Sequence, residues 1–263
     1  MKYALLIPAL LAGAAPAYAQ AADDLCVDRP GLGAPACVLP RGQAMAELGV
    51  IGWERSSDPA SAADELSIGD VTVRYGLGGG TEIAVDVTML DTLRTRDRAS
   101  GTIDRVSGSG DVTLAVAHNF AGGAGPVAVR AFVTLPTGRA ELGAGTWQAG
   151  LALPIELPLG SVFELGLTPQ VEAAANASAQ GRHLAWGGVI GLSRDVAPDL
   201  ALEGELAAWR DDDPAGSTTD ARAALSLAWR AAADWQLDAE VELGLTSAAP
   251  RHALMFGLAR RFR

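Results

Sequence analysis

Charged side chains recur at every second position of several segments, and this spacing is the chain's main opportunity for chemistry. In 235–246, Gln236, Asp238, Glu240, Glu242 and Thr246 alternate with Trp235, Leu237, Val241, Leu243 and Leu245. A strand reverses face at each residue, so a period of two places the charges on one side and the apolar groups on the other. The same parity collects Arg74, Glu82, Asp86, Glu164, Glu172, Glu203, Glu205, Arg222, Arg230 and Arg261 on the charged faces of other segments. Such faces can neutralise one another through cross-strand ion pairs, or they can line an aqueous path that sorts solutes by charge. Signs alternate between successive segments: Arg74 precedes Glu82 and Asp86; Glu203 and Glu205 precede Arg222 and Arg230; Asp238, Glu240 and Glu242 precede Arg261. Local pairing that fills the interior is therefore the expectation. Acids outnumber bases on this parity, so an open path would favour neutral or cationic solutes.

Other candidates are weaker. Trp53, Phe132 and Trp209 fall on the charged parity and could form an apolar surface among the charges for an aromatic solute. A one-residue register slip would turn them the other way. His118, His183 and His252 lie on separate segments, with no recognisable nucleophile–base arrangement, so no catalytic residue is assigned. Asp211–Asp213 lacks the spacing of a calcium loop and reads as a solvated acidic loop; no metal ligand and no cofactor are expected. Gly76–Gly80 has no following Lys-Ser/Thr and reads as a hairpin turn rather than a phosphate loop.

Twelve alternating segments carry these residues: 45–53, 66–75, 81–90, 110–120, 127–135, 146–157, 161–172, 182–194, 200–210, 220–230, 235–246 and 252–262. Connections after even segments are short and rich in Gly, Pro or Asp; those after odd segments (54–65, 91–109, 136–145, 173–181, 211–219, 247–251) are mostly longer and more polar. Such parity predicts an all-β, closed antiparallel transmembrane β-barrel of about 12 strands, with short periplasmic turns and longer outer loops. Tyr75, Phe120, Phe163, Trp229, Trp235 and Phe262 then share the short-turn end, where aromatic rings favour a lipid headgroup level. His118 and Arg260 break the pattern by facing outward, and Pro154 and Pro169 predict an irregularity inside their strands.

Residues 1–19 have the anatomy of a secretory signal peptide, with Lys2, an apolar run from Leu5 to Leu11, and Ala17-Tyr-Ala19 before the cleavage point. Lys2 is the only lysine, so its removal takes the formal net charge from −11 to −12. That balance argues against nucleic acid as a partner. Cys26 and Cys37 are the two cysteines; in an exported protein such a pair reads as a disulfide. The expected organisation is a signal peptide at 1–19, an N-terminal periplasmic segment at 20–44 holding the disulfide, and a barrel at 45–263. That segment lies either outside the wall or plugs the lower mouth. Outer-membrane lipid, the barrel-assembly machinery met during biogenesis, and a small-molecule solute are the expected partners, and the Gram-negative outer membrane is the expected location.

Cys26-Val-Asp-Arg-Pro-Gly-Leu-Gly-Ala-Pro-Ala-Cys37, leading into Arg41–Glu47, resembles the start of the outer-membrane transporters grouped as the "MetA-pathway of phenol degradation" family. Similar stretches follow in family order: Val73–Leu77, Gly110–Leu114, Val133–Gly138 and Leu153–Pro158. The resemblance implies an outer-membrane barrel that transports aromatic or hydrophobic compounds. It brings no agreed substrate and no functional residues. Three functions follow: a passive channel for small solutes, a structural or surface-interaction barrel closed by ion pairs, and an enzyme acting on lipid. The third would need a Ser–His or similar pair at the rim. The first is the leading expectation.

Overall fold

Along β13 (Trp235–Gly244) every second side chain is buried, and the buried set includes Gln236, Asp238, Glu240 and Glu242 while Trp235, Leu237, Val241 and Leu243 are exposed. A water-soluble sheet buries its apolar face. This one does the reverse, which is stable where the outer surface meets hydrocarbon and the inner surface meets polar partners. The computed structural model describes residues 25–263. The expected signal peptide at 1–19 lies outside the described residues.

The other strands are β1 (Ala44–Ser57), β2 (Ser61–Gly78), β3 (Thr81–Asp97), β4 (Ile103–Gly108), β5 (Val112–Asn119), β6 (Ala128–Leu135), β7 (Gln148–Ala152), β8 (Ile155–Leu159), β9 (Phe163–Ala175), β10 (Arg182–Ala197), β11 (Leu200–Asp211), β12 (Thr218–Ala232) and β14 (His252–Phe262). Among the described residues there is no helix. β4 and β5 both pair with β3 and form one stave interrupted at 109–111, and β7 and β8 both pair with β9 and form another interrupted at 153–154. The result is the expected twelve-stave antiparallel barrel, closed where β1 pairs with β14.

Two of the expected loops are shorter than the sequence reading. Segments 54–65 and 91–109 are largely strand, because β1, β2, β3 and β4 extend the ladder and leave turns only at 58–60 and 98–102. The expected proline irregularity falls at Pro154, which ends β7; the preceding Leu153 N–H donates to the Pro169 carbonyl at 2.9 Å and the Ala128 N–H to the Pro154 carbonyl at 3.0 Å. Pro169 itself stays within β9, opposite Gly188.

A bulge in β1 changes the facing of one candidate. The β1–β14 register shifts between Gly49 and Ile51, so Val50 and Ile51 are both exposed and the parity reverses beyond them. Trp53 consequently pairs with the exposed Leu254 and stands outside the lumen, which corrects its assignment as a lumen aromatic. The six belt aromatics are all exposed and lie at the short-turn end. The outward-facing polar exceptions sit with them: Arg260 lies 4.8 Å from the ring centroids of both Trp235 and Phe262, and the His118 Nδ1 is 2.9 Å from the Thr81 hydroxyl.

Candidate functional site

The lumen is the site, and its wall is acidic. Residues 25–43 run through it rather than outside the wall. The Cys26–Cys37 disulfide, with Cα atoms 5.9 Å apart, closes the segment into a small loop, and Cys26, Cys37, Leu39, Met45 and Ala259 form a small apolar cluster beside it. Proline and glycine deny this stretch regular structure, so its peptide N–H groups are left to find acceptors elsewhere. They find wall carboxylates. Asp28 and Arg29 N–H donate to Glu47 at 2.9–3.0 Å, Gly31 N–H to Glu240 at 2.7 Å, Leu32 and Gly33 N–H to Glu205 at 2.7 and 3.0 Å, and Leu39 N–H to Glu82 at 2.8 Å. The Ala34 N–H donates to the Thr168 hydroxyl at 3.1 Å.

Arginines fix the rest. Arg74, 1% exposed, lies between Glu47 at 3.0 Å and Glu82 at 2.8 Å, and donates to the Cys26 carbonyl at 2.7 Å. Arg130 reaches Asp28 at 2.6 Å. Arg29 reaches Asp238 at 3.1 Å and Asp70 at 3.8 Å. Its guanidinium lies over Gly49 and Gly257, where any added Cβ would come within 3.0 Å of it. Asn119, fully buried, donates to the Ala36 and Gly125 carbonyls at 2.8 and 2.7 Å.

The expected pairing between neighbouring strands is realised at Arg74–Glu82, and at Arg222–Glu242 at 3.1 Å, where Arg222 also holds Asp220 at 2.7 Å. Elsewhere it gives way. Glu205, Glu240 and Asp238 are met by the N-terminal segment, and Asp86 accepts from the Thr72 hydroxyl at 2.7 Å. Arg261 turns to Asp234 at 2.8 Å, in the 233–234 turn, instead of toward Glu240 or Glu242. Arg230 sits beside Asp199 and Arg263 at the short-turn rim, next to a register shift between Trp229 and Ala232. Both arginines stand too near the strand ends to reach the carboxylates at mid-wall.

Two polar cavities remain along β9, β10 and β11. The outer one, of about 460 Å³, is lined by Gln148, Gln170, Glu172, Trp209, Asp211 and Arg222, among others. The inner one, of about 110 Å³, lies against residues 28–35 and collects Glu156, Glu164, Glu203 and Glu205 with Thr168 and Ser193; among the described residues no basic side chain lines it. Trp209 thus faces the lumen, opposite Gly187. Phe132 lies across Gly150, whose missing side chain leaves room for the ring.

Sequence parity could have added Glu47, Arg130 and Thr168, which share the inward faces. The acceptor role of Glu205 and Glu240 carried no such signal, because the donors are the backbone N–H groups of Leu32, Gly33 and Gly31, 172 to 209 positions away along the chain. At the outer end, His183 lies beside Asp211 and Asp213, a juxtaposition that separate strands conceal.

Solved structures share the fold. A COG4313 outer membrane channel from Pseudomonas putida F1 is similar with a TM-score of 0.65 at 16% identity, over 89% of this chain and 99% of that one. The β domain of the Bordetella autotransporter Brka is similar with a TM-score of 0.53 at 12% identity, over 82% and 98%. The transport unit of the autotransporter AIDA-I from Escherichia coli gives 0.50 at 9% identity, over 84% and 90%. No curated protein matches the chain. Barrels named as a channel and as parts of autotransporters thus share this architecture, and the fold alone names no substrate. Sequence is more specific: residues 28–262 match the family described as "Putative MetA-pathway of phenol degradation", and the chain belongs to that family.

Proposed function

We propose that the protein is a passive outer-membrane channel for small neutral or cationic solutes, with 25–43 seated in the lumen from the periplasmic side. The observation that carries this reading is the polar file along one wall. Inward positions of β9 run Glu172, Gln170, Thr168, Gly166, Glu164 from the outer cavity to the inner, and those of β11 run Trp209, Ala207, Glu205, Glu203 beside them. Successive inward positions are about 6.6 Å apart at the usual rise of a strand. A solute descending this file meets carboxylates at its outer end, Glu172 and Asp211 with Arg222 beside them, and again at its inner end, Glu205, Glu164 and Glu203, where an anion is repelled. Trp209 offers a flat apolar face in the outer cavity, which supports aromatic solutes within that class.

One observation favours a closed structural barrel instead: the buried Arg74 clamp holds the segment's Cys26 carbonyl as well as two wall carboxylates. Conductance separates the two. Mature protein refolded into planar bilayers under a salt gradient should pass current with a reversal potential of cation-selective sign, reduced by Glu203→Gln with Glu156→Gln. A folded barrel that passes no current establishes the closed reading.

A further inference from the structure

Above the outer cavity, the loop after β9 meets the loop after β11 around a single imidazole. His183 is the second residue of β10, and its side chain is only 5% exposed. Its Nδ1 lies 3.0 Å from the Asn176 Oδ1 and 3.4 Å from the Asp213 Oδ2. Its Nε2 lies 2.7 Å from the Asp211 Oδ1, yet is buried without a hydrogen bond, since that oxygen is off the line of a ring N–H.

Each surrounding oxygen is held in place. The Asn176 amide points its oxygen at the ring because its nitrogen donates to the Gln180 carbonyl at 2.6 Å. Asp213 accepts from the Ala177 N–H at 2.7 Å and the Ala215 N–H at 2.6 Å, and Asp211 accepts from the Asp213 N–H at 3.0 Å. The ring therefore faces three acceptors and no donor. A neutral imidazole has one N–H, so either tautomer leaves one nitrogen lone pair against oxygen. A cation between Nε2 and the carboxylates removes that conflict.

We propose that His183, Asp211 and Asp213 bind a divalent transition-metal ion of the Zn²⁺ type and so tie the two outer loops together over the lumen. One ligand atom from each residue fits within 4.8 Å of the others. An imidazole nitrogen with two carboxylate oxygens suits zinc and its neighbours, which take such ligands at about 2.0–2.2 Å. Calcium would ask for six or more oxygens, and the loop does not assemble them. Three protein ligands leave positions for water or a solute group. The site stands on different residues from the inner cavity, and it does not depend on whether the channel conducts.

The test uses the refolded mature chain and Zn²⁺ alone, with Ca²⁺ as the comparison ion. Calorimetric titration should give one Zn²⁺ per chain and no matching Ca²⁺ uptake. His183→Ala and Asp211→Asn should each weaken Zn²⁺ binding at least tenfold, whereas His118→Ala, at the opposite rim, should not. Heat-modifiable migration on gels verifies that each variant is folded. Zn²⁺ should also shift the His183 ring resonances in the NMR spectrum. Equal Zn²⁺ affinity in wild type and His183→Ala overturns the proposal. So does a His183 ring that stays an imidazolium, unmoved by Zn²⁺, which would make the cluster an ion triad.

Discussion

Glu205 offers a direct measure of how firmly the N-terminal segment is seated. The carboxylate accepts two backbone hydrogen bonds, from Leu32 at 2.7 Å and Gly33 at 3.0 Å, and the residue is buried. Hydrogen bonds to a charged acceptor contribute about 1.5–3 kcal/mol each, and a neutral one about 1 kcal/mol. Glu205→Gln keeps one carbonyl acceptor and loses the charge and the other oxygen. The segment should lose about 2–5 kcal/mol of docking free energy on those magnitudes. A tenfold change in population accompanies each 1.4 kcal/mol, so the undocked fraction should rise at least about 30-fold. Hydrogen exchange at the Leu32 and Gly33 amides reads that fraction, because both must leave the wall to exchange. The charge is lost from the wall in docked and undocked states alike, so the barrel itself should stay folded. Exchange rates within about threefold of wild type, in a folded barrel, would refute the claim that these carboxylates hold the segment; the threshold is well below the magnitude worked above.

Arg74→Met should destabilise the whole barrel by about 3–5 kcal/mol, because Glu47 and Glu82 are left buried without their cation; urea unfolding in lipid vesicles measures it, and adding Glu47→Gln and Glu82→Gln should restore most of the loss. Cys26→Ser with Cys37→Ser should loosen the segment by up to about 3 kcal/mol, the entropy of freeing so short a loop, with little change in barrel unfolding; faster amide exchange confined to 25–43 is the expected result. In the outer turns, the Ser61 N–H at Asp58 and the Ser100 N–H at Asp97 hold these carboxyls below the usual aspartate value of 3.8. A depressed carboxyl contributes order that is present above its unfolded pKa and is lost as pH falls through the folded value. The Ser61 and Ser100 amide resonances should therefore be unchanged from pH 7 to 5 and move only below about pH 4.

Much of this architecture was legible because a transmembrane strand must carry its pattern residue by residue. Gln236, Asp238, Glu240 and Glu242 are buried and their neighbours exposed, as alternation requires, and the Cys26–Cys37 pair is joined. Trp53 was misread because a bulge at Val50 adds one residue without any marker in residue type. The 54–65 and 91–109 stretches were read as loops because polar residues on both faces of a strand above the membrane erase the alternation. The lumen contacts were hidden for another reason. A carboxylate's partner can be read from sequence when it is an arginine one strand away, as with Arg222 and Glu242, but not when it is the peptide group of Gly31.

The path of the N-terminal segment also bears on how the barrel is assembled. Arg29 bridges Asp70 on β2 and Asp238 on β13, strands that lie on opposite sides of the β1–β14 seam. Asp28 grips Arg130 on β6 while its N–H and that of Arg29 grip Glu47 on β1. Before the seam closes, the first and last strands are free edges joined only through the length of the chain, and bringing them together carries the largest loop-closure entropy in the molecule. The segment laces those edges from within. The Arg29 bridge from Asp70 to Asp238 becomes available only as β1 and β14 approach, so lumen filling and seam closure reinforce each other.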